Sequence, residues 1–183
     1  MKNILFIQGG GDDGYKADAT LVQNLKKHIG KDFHILYPKL KTDETAADFG
    51  WLKQIKDEIY KAGDGIIIAA HSLGASLLLK YLSEVIVTTN ISGVFLLAAP
   101  FWRGDEDWKQ GLKLRNDFAK KLSKHIPLLF YHCHDDKEVP PEQFQTYKRL
   151  LPHAKFHEFK SGGHQFTGNE EVIAKDIKNI GAG

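Results

Sequence analysis

Apolar positions along the chain fall into two alternating patterns. Short, mostly β-branched or aromatic runs stand at Ile4 to Ile7, Phe33 to Tyr37, Ile66 to Ala70, Val94 to Ala98, Pro127 to Cys133 and Lys155 to Phe159. Each is bounded by Gly, Pro, Asp or Asn, which predicts buried strands. Between them the period lengthens to that of a helix. Tyr15 to about Ile29 carries Ala19, Leu21, Val22, Leu25 and Ile29 on one side and stops at Gly30. Asp48 to Ala62 carries Trp51, Leu52, Ile55, Ile59 and Tyr60 on its apolar side. Further helices are predicted over Ser72–Ser83, Leu114–Lys124, Pro141–Leu151 and Glu170–Ile180. About six such alternations predict an α/β fold: a three-layer sandwich, its mostly parallel sheet of about six strands covered by helices on both faces. Residues 1–183 read as one domain. Right-handed crossovers place the loops that follow the strands at one end of the sheet, where a site is expected.

Two of those loops have unusual composition. Ala70-His71-Ser72-Leu73-Gly74 follows the most continuous apolar run and opens a helix. It reads as the nucleophile elbow G-x-S-x-G, with Ala70 in place of the first glycine. Positions two before and two after the serine approach each other closely, so both must be small. The plainer alternative is a serine N-cap on an ordinary helix. The other loop, Gly9-Gly10-Gly11-Asp12-Asp13-Gly14, formally matches the dinucleotide fingerprint G-x-G-x-x-G. Asp12 and Asp13 would repel a pyrophosphate, and Tyr37-Pro38 stands where the ribose-binding acid belongs. The favoured reading is an oxyanion loop, with the N–H of Gly10 paired with that of Leu73; a simple tight turn is the third.

Serine needs a base, and the base needs a carboxylate. After an elbow these follow in the order acid, then histidine. The acid is sought in His134-Asp135-Asp136-Lys137-Glu138-Val139-Pro140, where a strand ends in a polar loop. Spacing does not choose between Asp135 and Asp136. Among the histidines, His71 abuts Ser72 but is expected to point away from it. His125 and His153 lie at helix ends, His157 lies in a strand, and His132 and His134 lie beside the acid. His164, in Ser161-Gly162-Gly163-His164-Gln165-Phe166, follows the last strand and is the candidate base.

Composition narrows the partners. A hydrophobic fraction of 42% and a charged fraction of 26% describe an ordinary globular chain. A net charge of +2, with Lys26-Lys27 and Lys120-Lys121 reading as solvated helix faces, argues against nucleic acid or a membrane surface as partner. The one cysteine, Cys133, forms no intrachain disulfide. The apolar run at Ile4 to Ile7 is too short for a signal-peptide core, so a cytoplasmic location is expected.

Taken together, these residues resemble the α/β-hydrolase superfamily, and within it the small serine hydrolases of the retinoblastoma-binding-protein type. The resemblance covers nearly the whole chain. It rests on the glycine loop with Asp12 and Tyr15, Tyr37-Pro38, Trp51, His71-Ser72-Leu73-Gly74-Ala75, Asp136 four residues before Pro140, and Gly162-Gly163-His164. It implies Ser72 as nucleophile, Asp136 rather than Asp135 as acid, His164 as base, and Gly10 with Leu73 as oxyanion hole. It implies hydrolysis of a small-molecule acyl substrate with no cofactor or metal. The chain lacks a long cap. Pro100 to Lys113, with Phe101, Trp102, Arg103 and Trp108, is the only stretch suited to a short lid, and Trp102 and Phe166 are candidate walls of an acyl pocket. The competing function is a protein-binding module that keeps the fold without the catalysis.

Overall fold

Strands that are apolar at every position require cover on both faces. The computed structural model, which describes residues 1–11 and 13–181, supplies it. Asp12, part of the glycine-loop reading, lies outside the described residues. Among those residues, six strands form one sheet with every neighbouring pair parallel. They are β1 (Lys2–Ile7), β2 (Phe33–Leu36), β3 (Ile66–His71), β4 (Ile91–Leu97), β5 (Leu128–Cys133) and β6 (Lys155–Phe159). The order is β2-β1-β3-β4-β5-β6. The chain therefore reverses direction across the sheet at β1, and the loops after β1 and β3 flank the resulting crevice.

Successive residues of each strand enter different cores, as a period of two requires. Leu5, Ile7, Ile68, Ala70, Val94 and Leu96 share a cluster with Trp51, Ile55 and Ile59 of α3 (Trp51–Ala62) and Leu77 and Leu78 of α4 (Ser72–Glu84). Ile4, Phe6, Ile67, Ala69, Phe95 and Leu97 pack on the other face. Their partners are Leu21, Val22 and Leu25 of an N-terminal helix and Ile173 and Ile177 of the C-terminal one.

Three helix expectations need correction. Tyr60 is 80% exposed: it follows the buried Ile59 and lies about 100° around α3 from it. The helix expected over Tyr15–Ile29 is divided into α1 (Gly14–Ala17) and α2 (Ala19–Ile29). The break falls at Asp18, whose carboxylate turns inward to accept the Gly9 N–H at 2.6 Å. The helix expected over Leu114–Lys124 shrinks to α5 (Phe118–Lys121). Asn116 and Asp117 favour a turn there, closed by the Phe118 N–H on the Arg115 carbonyl at 3.0 Å. The remaining helices, α6 (Pro141–Leu150) and α7 (Glu170–Gly181), fall close to expectation. Pro100 to Lys113 contains a 3₁₀ helix over Asp107–Leu112.

Gly74 fixes how closely α4 sits on the sheet. A Cβ there would lie 2.2 Å from the Gln8 carbonyl oxygen and 2.8 Å from Ile7 Cγ2. The first obstacle is backbone just past the end of β1 and cannot swing aside like a side chain. Gly74→Ala is expected to destabilise the fold by about 3 kcal/mol, the upper end of overpacking costs. At about 2–4 °C per kcal/mol for a chain of this size, that is roughly 6–12 °C in Tm, checked by thermal unfolding.

Candidate active site

The segments that follow all six strands converge, at the carboxyl ends of the strands, on one cavity of about 610 Å³. The elbow lies at its floor. β3 runs directly into α4, and Ser72 at the junction has φ +50°, a left-handed backbone that a residue with a Cβ rarely adopts. Among the described residues, the other non-glycine residues of this kind are Phe49, Ala98 and Phe166. All four follow strands at the cavity end of the sheet, so the strain is concentrated there. No side chain caps α4, which leaves its first-turn amides, Leu73 included, without a partner inside the helix.

The glycine loop is pressed against the elbow. A Cβ on Gly10 would lie 2.6 Å from Leu73 Cδ2, and one on Gly9 would lie 3.3 Å from Ser72 Cβ. Gly9, Gly10, Gly11, Ser72 and Leu73 all line the cavity. The Gly9 N–H is committed to Asp18, so the loop's candidate donors on the cavity are Gly10, the residue expected for that role, and Gly11.

His164 also lines the cavity. It stands in a turn after β6 between Gly163 (φ +60°) and Phe166 (φ +57°). Its Nδ1 lies 2.8 Å from Asp136 Oδ2. The other carboxylate oxygen of Asp136 accepts the N–H groups of Glu138 at 2.8 Å and Val139 at 3.0 Å. Burial would raise the Asp136 carboxyl; the His164 ring and the two amides outweigh it and hold it below the usual carboxylate value. A carboxylate so fixed directs Nδ1–H towards itself and leaves Nε2 as the basic nitrogen. Asp135 has a different task. It is exposed, and it accepts the N–H groups of Gly162 at 3.2 Å and Gly163 at 2.9 Å, which holds the turn that carries His164. Those amides lower its carboxyl.

A second serine is also close. Ser76 is fully buried; its hydroxyl donates to the Leu73 carbonyl at 2.9 Å and accepts the Trp102 indole N–H at 2.9 Å. That bond places Trp102 on the cavity wall, edge-on to Trp108 with ring centroids 5.5 Å apart. Phe49, Pro100, Val139 and Gln143 complete the wall, with Glu138 at the rim. Phe166 is different from expectation. It has no exposed surface and packs edge-on to the His71 ring in the core, because its left-handed backbone turns the side chain under the loop. His71 lines the cavity floor and contacts both Asp18 and the His164 loop.

The sequence pattern of the serine hydrolase family matches residues 25–167, more than half of the chain. The chain belongs to the serine hydrolase family. The match does not single out the retinoblastoma-binding-protein type. No curated protein matches the sequence. Solved structures similar to this serine hydrolase include SOBER1 of Arabidopsis thaliana, at 17% identity and TM-score 0.67, covering 98% of each chain. A lipase-esterase related protein of Clostridium acetobutylicum ATCC 824 is similar at 16% identity and TM-score 0.68, over 98% of this chain and 94% of that one. Est1E from Butyrivibrio proteoclasticus is similar at 15% identity and TM-score 0.67, over 98% of this chain and 86% of that one. At these identities the likeness establishes the fold of the serine hydrolase, that of the α/β hydrolases. No helix among its described residues is long and apolar enough to cross a membrane.

Proposed function

We propose that this serine hydrolase, read as one domain over residues 1–183, cleaves small carboxylic esters through an acyl-enzyme on Ser72. Thioesters and amides are the neighbouring substrate classes. The observation that carries this reading is the 2.8 Å contact of Asp136 with His164 on the cavity that holds the strained Ser72 corner. Ser72 Oγ attacks the acyl carbon while His164 Nε2 takes its proton. Asp136 orients the ring and balances the imidazolium that forms. The Gly10 and Leu73 amides hold the oxyanion, whose charge appears only as the tetrahedral intermediate forms. His164 then protonates the leaving group, and in the second half-reaction it activates water. Phe49, Pro100, Trp102, Trp108 and Val139 line the cavity, and neither Lys nor Arg is among its lining residues. That lining suits a short neutral acyl group and offers no counter-charge to an anionic one. The single, buried cysteine supports a cytoplasmic setting.

A binding module on the same fold is the second reading. It is favoured by a separate surface cavity of about 470 Å³ lined by Val85, Ile86, Leu122 and Ile126 with Arg115 and Lys121. A fluorophosphonate probe decides between the two. The hydrolase reading expects one covalent adduct, found by mass spectrometry on the peptide that contains Ser72. It also expects p-nitrophenyl acetate and butyrate to be cleaved faster than the dodecanoate. A folded wild-type protein that forms no adduct would overturn this reading in favour of the binding module.

A further inference from the structure

The cavity floor holds a second acid–histidine pair, and the reaction above leaves it without a task. Asp18 and His71 are each 1% exposed. Asp18 Oδ2 accepts the Gly9 N–H at 2.6 Å, and Oδ1 accepts the Gln165 side-chain N–H at 3.1 Å. Oδ1 also lies 2.8 Å from His71 Nδ1, off the line a ring N–H would take. On the opposite side of the ring, His71 Nε2 is 2.9 Å from the carbonyl oxygen of His164. A carbonyl only accepts, so Nε2 donates to it. The rings of His71 and His164 lie 4.5 Å apart, centroid to centroid.

Together the contacts reach three loops. Asp18 holds the residue before Gly10. His71 is the residue before Ser72. The His164 carbonyl belongs to the base itself, and Gln165 is the next residue. We propose that Asp18 and His71 are positioning residues that lock the oxyanion loop, the elbow and the base loop into one register; this rests on the catalytic roles proposed above. Burial of ionisable groups is costly unless hydrogen bonds compensate it; here Asp18 accepts from Gly9 and Gln165, and His71 donates through Nε2 to the His164 carbonyl. A core that needed only packing would be served as well by apolar residues of the same volume. The polar pair instead ends on backbone groups next to the three reacting positions, whose relative placement is what the chemistry demands. A shift of about 1 Å between reacting groups can cost on the order of 100-fold in rate.

The test measures kcat and KM on p-nitrophenyl butyrate, the rate of fluorophosphonate labelling, and thermal unfolding, on wild type and four variants. Asp18→Asn and His71→Asn are each expected to lower kcat and the labelling rate by about 10- to 100-fold, with KM moving less than about threefold. The Asp18→Asn/His71→Asn double variant is expected to fall no further than the worse single one, since the pair acts as a unit. Gln165→Ala, which removes one hydrogen bond to Asp18 from a half-buried position, is expected to slow labelling by about 3- to 10-fold. It decides the matter if the Asn variants do not fold. A lower Tm with unchanged kcat per labelled site, multiplicative losses in the double variant, or Gln165→Ala labelling at the wild-type rate would each overturn the positioning role alone. Failure of the wild type to label at all overturns the hydrolase reading together with it.

Discussion

Ser72→Ala is expected to lower kcat/KM on a p-nitrophenyl ester by at least about 10⁴-fold and to abolish fluorophosphonate labelling, while Tm stays within a few degrees of wild type. Alanine removes one oxygen and keeps the Cβ already present at φ +50°. The change therefore touches chemistry and leaves packing alone. The loss is large because no other group there is expected to form the acyl-enzyme: water must then attack the bound ester directly. His164→Ala should lose a similar amount, and the double variant should be hardly worse than either, since nucleophile and base act in the same step. A Ser72→Ala protein that keeps more than a tenth of the activity would remove Ser72 from the mechanism. The buried Ser76, held by Leu73 and Trp102, would be the next residue to vary.

Asp136→Asn is the second large effect, on the order of 10³–10⁴-fold in kcat. The amide can accept the Glu138 and Val139 N–H groups much as the carboxylate does, so the loop keeps its shape. What it cannot do is balance an imidazolium at 2.8 Å. Its NH₂ group also favours the opposite tautomer, with the proton on Nε2, where Ser72 needs an acceptor. Asp135→Asn should cost less than about tenfold. Asparagine's one carbonyl oxygen can still accept the nearer Gly163 amide, at the loss of the longer Gly162 bond, and the residue touches the base only through the turn it braces. Measuring kcat for the pair distinguishes the roles, and equal losses would show that the two carboxylates share the work.

Much of this arrangement is legible in the sequence. Strand cores are visible because both faces of a parallel sheet are buried, so β3 reads as an unbroken apolar run. Ser72 and His164 are visible because an elbow and a glycine turn each need small residues at set positions. The Asp135 and Asp136 roles are not separable by spacing: adjacent residues in a turn point in different directions, and only the turn's closure decides which one faces the ring. Phe166 reads as a pocket wall because an aromatic beside a catalytic loop suits that place. A left-handed φ, invisible in composition, sends it into the core instead. Asp18 was the strongest missed signal. It falls three and four residues before Leu21 and Val22, on the apolar stripe of the helix expected over Tyr15–Ile29, and an acid on such a stripe needs a buried partner.

The sheet order has a consequence for synthesis. β1 leaves the ribosome before the other five strands of this sheet, yet it lies between β2 and β3 in the finished order. Its partner on the β3 side begins at Ile66. At about 5–20 residues per second, roughly 3–12 seconds separate the emergence of Ile7 from that of Ile66. Through that interval Ile4 to Ile7 have at least one unpaired strand edge, and Leu5 and Ile7 have no elbow helix to cover them. The nascent chain is thus most open to aggregation, and to capture by chaperones, before the segment that carries Ser72 has been made.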